Sequence, residues 1–111
     1  MKIEQSQQGT VTVIAPIGAV IDEDRVQLEA LLDEQMSRGR VKIVLDLNAV
    51  PFIESEGLEI LLDASERAAS KGGGIRIANP SDIVRDIMVA TRLGNKIELH
   101  AELNEARRSL L

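Results

Sequence analysis

The chain has 111 residues, 44% apolar and 28% charged, which is the length and make-up of one globular domain covering residues 1–111. A net charge of −5 repels phosphate backbones and anionic lipid, and with Phe52 as the sole aromatic residue there is no platform on which bases could stack, so nucleic-acid binding and direct membrane insertion are not expected. Without cysteine there are no disulfides, no thiol catalysis and no cysteine-based metal sites.

Lys2 to Gln5 reads as a short strand, and Ser6 to Gly9 as a polar turn. The β-branched run Thr10 to Ile17 is a second strand paired with the first. Pro16 cannot donate a ladder hydrogen bond, so it belongs at an edge or near the end of that strand. The opening Met1-Lys2-Ile3-Glu4-Gln5 lacks the basic and apolar regions of a leader, and no stretch of 18 apolar residues follows anywhere. The expected compartment is the cytoplasm.

Asp22, Glu23 and Asp24 form an acidic first turn suited to the start of a helix. Leu28, Leu31, Leu32 and Met36 follow at helical spacing, and Gly39 fits a C-terminal cap. Val41 to Leu47 is almost continuously apolar, as a central strand covered on both faces should be. A second helix is predicted from about Ser55 to Lys71, stopped by Gly72-Gly73-Gly74, with a strand over Ile75–Ala78. Asn79-Pro80 suggests the next helix start, with Asn79 as the N-cap. Its expected inward stripe is Ile83, Val84, Ile87 and Met88, and Gly94 ends it. Ile97–Leu99 reads as a last strand, and Ala101–Leu111 as a terminal helix with Leu103, Ala106 and Leu110 inward. Strands alternating with helices imply an α/β domain with a largely parallel sheet and right-handed crossovers.

At about 100° per residue, Leu58, Leu61, Leu62, Ser65, Ala68 and Ala69 share one face of the second helix, which should pack on the sheet. Glu56, Ile60, Asp63 and Arg67 fall opposite and should meet water. Asp63 and Arg67 make an i,i+4 ion pair, and Ile60 is either an ordinary exposed residue or the anchor of a docking patch. His100, the single histidine, has no companion ligands and reads as solvent-exposed, so no metal or cofactor is expected. The glycines after Lys71 precede a strand, not a helix, and so make no phosphate cradle.

Leu45-Asp46-Leu47, then Phe52-Ile53-Glu54-Ser55-Glu56-Gly57-Leu58, resemble the signature of the STAS family, the bacterial anti-sigma factor antagonists. Gly18-Ala19-Val20, Thr91-Arg92-Leu93-Gly94, Ile97 and Glu105-Ala106 extend the likeness over nearly the whole chain. The resemblance implies the STAS-type fold, a mixed, mostly parallel β-sheet with four α-helices, and a protein that is not an enzyme. It implies binding to an anti-sigma factor that is also a serine kinase of the histidine-kinase-like ATPase fold. That kinase ends the interaction by phosphorylating a serine at the start of the second helix, and the phosphate adds charge where contact is made.

The family motif is Asp-Ser-Ser-Gly or Asp-Ser-Thr-Gly, with the second hydroxyl residue as phosphoacceptor; here it is Glu54-Ser55-Glu56-Gly57. The acceptor position is therefore Glu56, and Ser55 is the remaining candidate for phosphorylation. Glu56 fits three readings: a fixed stand-in for the phosphorylated form, a carboxylate that a partner accepts, or a favourable charge on the helix dipole with Ser55 as the cap. The partner-binding residues implied are Glu54, Ser55, Glu56, Gly57, Ile60 and Asp63, with Gly57 letting a partner's backbone approach. Two other readings fit: a STAS accessory subunit of a lipid or anion transport system or stress-signalling assembly, and a receiver-like domain phosphorylated on Asp46. Against the last, Asp46 also suits hydrogen bonding to its adjoining loop.

Overall fold

The computed structural model describes residues 1–111, Gly94 by its backbone alone. Five strands and four α-helices follow one another as β1 (Lys2–Gln8), β2 (Val11–Ile17), α1 (Glu23–Ser37), β3 (Lys42–Asp46), α2 (Ser55–Ser70), β4 (Gly74–Ala78), α3 (Asp82–Ala90), a 3-10 turn (Leu93–Asn95), β5 (Glu98–His100) and α4 (Leu103–Arg108). The sheet order is β1-β2-β3-β4-β5, with β1 antiparallel to β2 and the other pairs parallel. This is the mixed, mostly parallel sheet with four helices that the sequence led us to expect.

The alternation of side chains explains the two layers. Ile43 and Leu45 of β3 and Ile75 and Ile77 of β4 join Leu28, Leu32, Leu58, Leu61, Val84 and Met88 in one core under α1, α2 and α3. Val11, Val13, Val44 and Ala78 point the other way and meet Leu103 and Ala106 of α4 and Leu110 just after it. β3 is buried on both faces, hence its unbroken apolar run.

Helix ends account for most boundary shifts. Gly39, at φ 79°, follows α1 with Gly39 N–H donating to Met36 O and Arg40 N–H to Gln35 O, the Schellman pattern. β1 runs to Gln8, past the predicted Gln5, because polar residues suffice for a strand whose side chains, Ile3 and Gln8 apart, are exposed; only Gly9 and Thr10 remain as its turn. Pro16 sits beyond the last rung of the β2–β3 ladder, Ile14–Leu45, as a residue without N–H should.

Several expectations were wrong. Asn79 does not cap α3: it takes φ 53° and donates from Nδ2 to Asp46 Oδ1 at 3.1 Å, while Ser81 Oγ accepts from Val84 N–H at 3.2 Å. Of the expected inward stripe, Val84 and Met88 are buried and Ile87 packs half-buried against the core, whereas Ile83, next to the first residue of the helix, is exposed. α3 ends at Ala90, where Thr91 Oγ1 donates to Ile87 O, and Gly94 lies within the 3-10 turn. His100 is largely covered and not exposed, its Nε2 2.8 Å from Glu98 Oε1.

Candidate functional site

The candidate site is the start of α2, at the end of the sheet where the parallel strands finish. Two loops converge there, one after β2 and one after β3. Gly18 N–H donates to Ala49 O, Val20 N–H to Phe52 O and Glu54 N–H to Val20 O, so the loops are zipped together in a short parallel bridge, Val20–Ile53. Val20 and Ile53 are buried, as this sequence of apolar residues at loop positions requires. The tip of α2 therefore stands on a fixed base.

Glu54 occupies the N-cap position but caps nothing in its own helix. Its Oε1 accepts from Asp22 N–H at 2.6 Å and from Arg25 Nη1 at 2.8 Å, and Arg25 also donates to Asp22 O. Asp22 has φ 49°, a conformation that costs a non-glycine residue about 1–3 kcal/mol. The charged hydrogen bond from Glu54 offsets that strain and ties the start of α1 to the start of α2. Glu54 is thus a strut between two loops, with its acceptor atom already engaged.

Ser55 is the first residue of α2 and not its cap, which corrects the expectation that its hydroxyl would serve backbone amides. Its Oγ is exposed, with Glu56 Oε2 3.5 Å away. Glu56 is exposed in the first turn, where its charge suits the helix dipole.

Gly57 is buried, and an added Cβ would lie 2.8 Å from Ile53 Cγ2 and 3.5 Å from Val20 Cγ1. Its missing side chain makes room for the Val20–Ile53 bridge inside the protein and does not open the helix to a partner. Ile60 is half-buried against the core instead of meeting water. The inward face of α2 is Gly57, Leu58, Leu61, Ala64 and Ala68; Ala69 is exposed, since the helix packs against α1 as well as the sheet. Asp63 is exposed and accepts from Arg67 Nε at 2.9 Å, and Arg67 Nη1 reaches Asp33 of α1 at 2.7 Å. That hydrogen bond to Asp33 is the main cause of the raised Arg67 pKa. Asp63 therefore belongs to a clamp between helices, two turns from the tip.

The sequence reading missed two apolar residues beside Ser55 and Glu56. Phe52, 42% exposed, and Ile21, 36% exposed, flank the Val20–Ile53 bridge. One signal pointed to Phe52: a lone aromatic placed in a loop just ahead of a helix. Nothing in the local pattern marked Ile21. Each of the two zipped loops thus exposes one large apolar side chain, and the helix start that follows exposes the Glu56 carboxylate.

Asp46 lies away from this helix start in its interactions. Its Oδ1 accepts from Asn48 N–H and Asn79 Nδ2, both at 3.1 Å, so the carboxylate holds the β3 and β4 loops together. Among the described residues no group of three or more histidine, aspartate or glutamate side chains is placed to hold a metal ion, and no helix is long and apolar enough to cross a membrane.

The STAS domain model matches residues 2–106. A Thermotoga neapolitana protein, provisionally named an anti-sigma factor antagonist, is 26% identical over 76 residues, which is 68% of this chain and 67% of that protein. The crystal structure of a Thermotoga maritima protein with the same provisional name superimposes with a TM-score of 0.91 at 21% identity, covering 97% of this chain and 93% of that one. The phosphorylated form of SpoIIAA, a Bacillus cell fate determinant, superimposes at 0.75 with 19% identity over 97% and 98% of the two chains.

Proposed function

The chain belongs to the STAS domain family, and from that premise we propose that it acts as an anti-sigma factor antagonist, docking the tip of α2 on an anti-sigma factor to free a sigma factor. The observation that carries this reading is the helix start itself: Ser55 and Glu56 exposed, on a base fixed by Glu54, with Phe52 and Ile21 exposed in the two loops zipped together at that end. Such a surface is rigid before contact, so little ordering entropy opposes docking.

Glu56 gives the reading its particular form. A phosphoserine carries about −1.5 to −2 charges and three acceptor oxygens, whereas Glu56 carries one charge on two oxygens. A partner that accepts this carboxylate meets the same charge at all times, and a serine kinase has no hydroxyl to modify there. The docking is therefore not switched at position 56. Ser55, with its exposed hydroxyl one residue earlier, is the acceptor position left for any kinase. Catalysis has no part in this reading; the anti-sigma factor partner is of the histidine-kinase-like ATPase fold, in the same cytoplasm.

The experiment pairs the purified chain with each ATPase-type serine kinase encoded in the same genome and follows binding by calorimetry. Saturable binding that Phe52→Asp abolishes is the expected result. No binding to any of them, with a transport ATPase recovered as the stable partner instead, would replace this reading with the transport one. In parallel, Glu56→Ser is incubated with the binding kinase and ATP and weighed intact. The variant should gain one phosphate that the parent lacks at that position; a modified parent beside an unmodified variant reverses the assignment.

A further inference from the structure

We propose that the free edge of β1 is a docking site for a second copy of this chain, with the two β1 strands antiparallel and centred on Gln5. The surface is separate from the α2 tip and the proposal does not rest on the function assigned there. Among the described residues, β1 has β2 on one side and no strand on the other. It spans seven residues, Lys2–Gln8, pairs with β2 without a bulge, and contains no proline.

The partner strand reveals which amides the edge leaves free. Ile3 lies opposite Pro16, which has no N–H to exchange. That pair is therefore a non-hydrogen-bonded one, and the antiparallel alternation assigns Lys2, Glu4, Ser6 and Gln8 to the β1–β2 ladder. The N–H and C=O groups of Ile3, Gln5 and Gln7 then point outward, a ready row of donors and acceptors. The hairpin holding them is stiff: Gln7 Nε2 donates to Gly9 O at 3.1 Å and Gln7 Oε1 accepts from Thr12 Oγ1 at 2.7 Å.

A groove of about 500 Å³ runs beside this edge, between β1 and α1, lined by Ile3, Gln5, Gln27, Leu31 and Glu34. Its walls are apolar and amide apart from Glu34, whose carboxylate is paired with Arg38, and they match the Ile3 and Gln5 side chains that β1 itself would bring. Centred on Gln5, the second copy sets Gln7 opposite Ile3, Gln5 opposite Gln5 and Ser6 opposite Glu4. All seven residues pair, and no like charges face each other. Centred on Glu4, two carboxylates would stand opposite each other, which is destabilising; centred on Ile3, the paired stretch stops at Gln5. The strand is its own best complement, and a two-fold axis through Gln5 keeps α1 of both copies on the same face of a continuous ten-stranded sheet.

Sedimentation velocity over a micromolar-to-millimolar series tests this on the intact chain. The parent should pass from monomer to dimer with rising concentration. Gln5→Pro removes an outward N–H from each copy while sparing the β1–β2 ladder, so it should fold as the parent does and weaken the dimer by about tenfold or more. Ser6→Pro removes an inward N–H and should instead lower the melting temperature. Because the chain has no cysteine, a second measurement reads the register whatever the proline variants do. Oxidised Gln5→Cys should cross-link as a dimer, its paired Cα atoms about 5.5 Å apart, and Gln7→Cys should not. A parent that stays monomeric overturns the proposal and leaves the edge to a strand from another protein. A dimer indifferent to Gln5→Pro, a Ser6→Pro variant as stable as the parent, or cross-linking equal at positions 5 and 7 overturns it too.

Discussion

Replacing Gly57 with alanine separates two roles for the residue beneath the α2 tip. The new Cβ would sit 2.8 Å from Ile53 Cγ2, about 1 Å inside an ordinary carbon–carbon contact. Ile53 is 1% exposed and β-branched, so its methyl cannot swing away cheaply. Overpacking of this kind costs about 1–3 kcal/mol. Alanine recovers up to about 1 kcal/mol of helix propensity, and less than that in a first turn. The overlap wins by about 1 kcal/mol, which corresponds to a drop of about 5 °C in Tm for a domain of this size. Differential scanning calorimetry measures the drop, and Ile53→Leu, which removes the offending branch, should make the two substitutions less than additive. A Gly57→Ala protein as stable as the parent that nonetheless fails to bind its partner would refute this reasoning. Gly57 would then be touched from outside.

Further outcomes follow from the same contacts. Glu54→Ala removes the acceptor for both Asp22 N–H and Arg25 and should cost about 1–3 kcal/mol by urea denaturation. Glu54→Gln keeps the Asp22 bond and loses only a half-exposed ion pair, so its cost should stay below about 1 kcal/mol. Ser81→Ala should cost about 1 kcal/mol through the lost cap of α3. Removing Arg67 as Arg67→Met should lower stability more than Asp63→Asn does, because Arg67 also reaches Asp33 across the helix pair; thermal melts of both variants check the order.

Regular periodicity carried the architecture. The apolar run at 41–47, the spacing of Leu28, Leu32 and Met36, and the glycines at 39 and 72 each have one structural meaning, and each was readable in isolation. The site was harder. Ser55, Glu56 and their motif were visible, but whether Gly57 faced a partner or Ile53 depended on the Val20–Ile53 bridge, a contact between segments over thirty residues apart. Ile60 looked exposed on a helix considered against the sheet alone, yet it packs half-buried against the core. Asn79 followed by Pro80 had the chemistry of a cap, yet Ser81, two residues later, holds that place. The pairing of Asn79 with Asp46 decided between them, and no local rule contains it. Long-range contacts, in each case, settled what nearby residues left open.

Transverse-relaxation NMR of the labelled chain, titrated with the cognate anti-sigma factor, addresses the docking claim at residue level. Amide shifts and line broadening should concentrate at Ile21, Phe52, Ser55 and Glu56 and reach saturation at one equivalent. Tight binding that leaves those four signals in place while moving those of α4 or the β1 edge would contradict the assignment of the α2 tip.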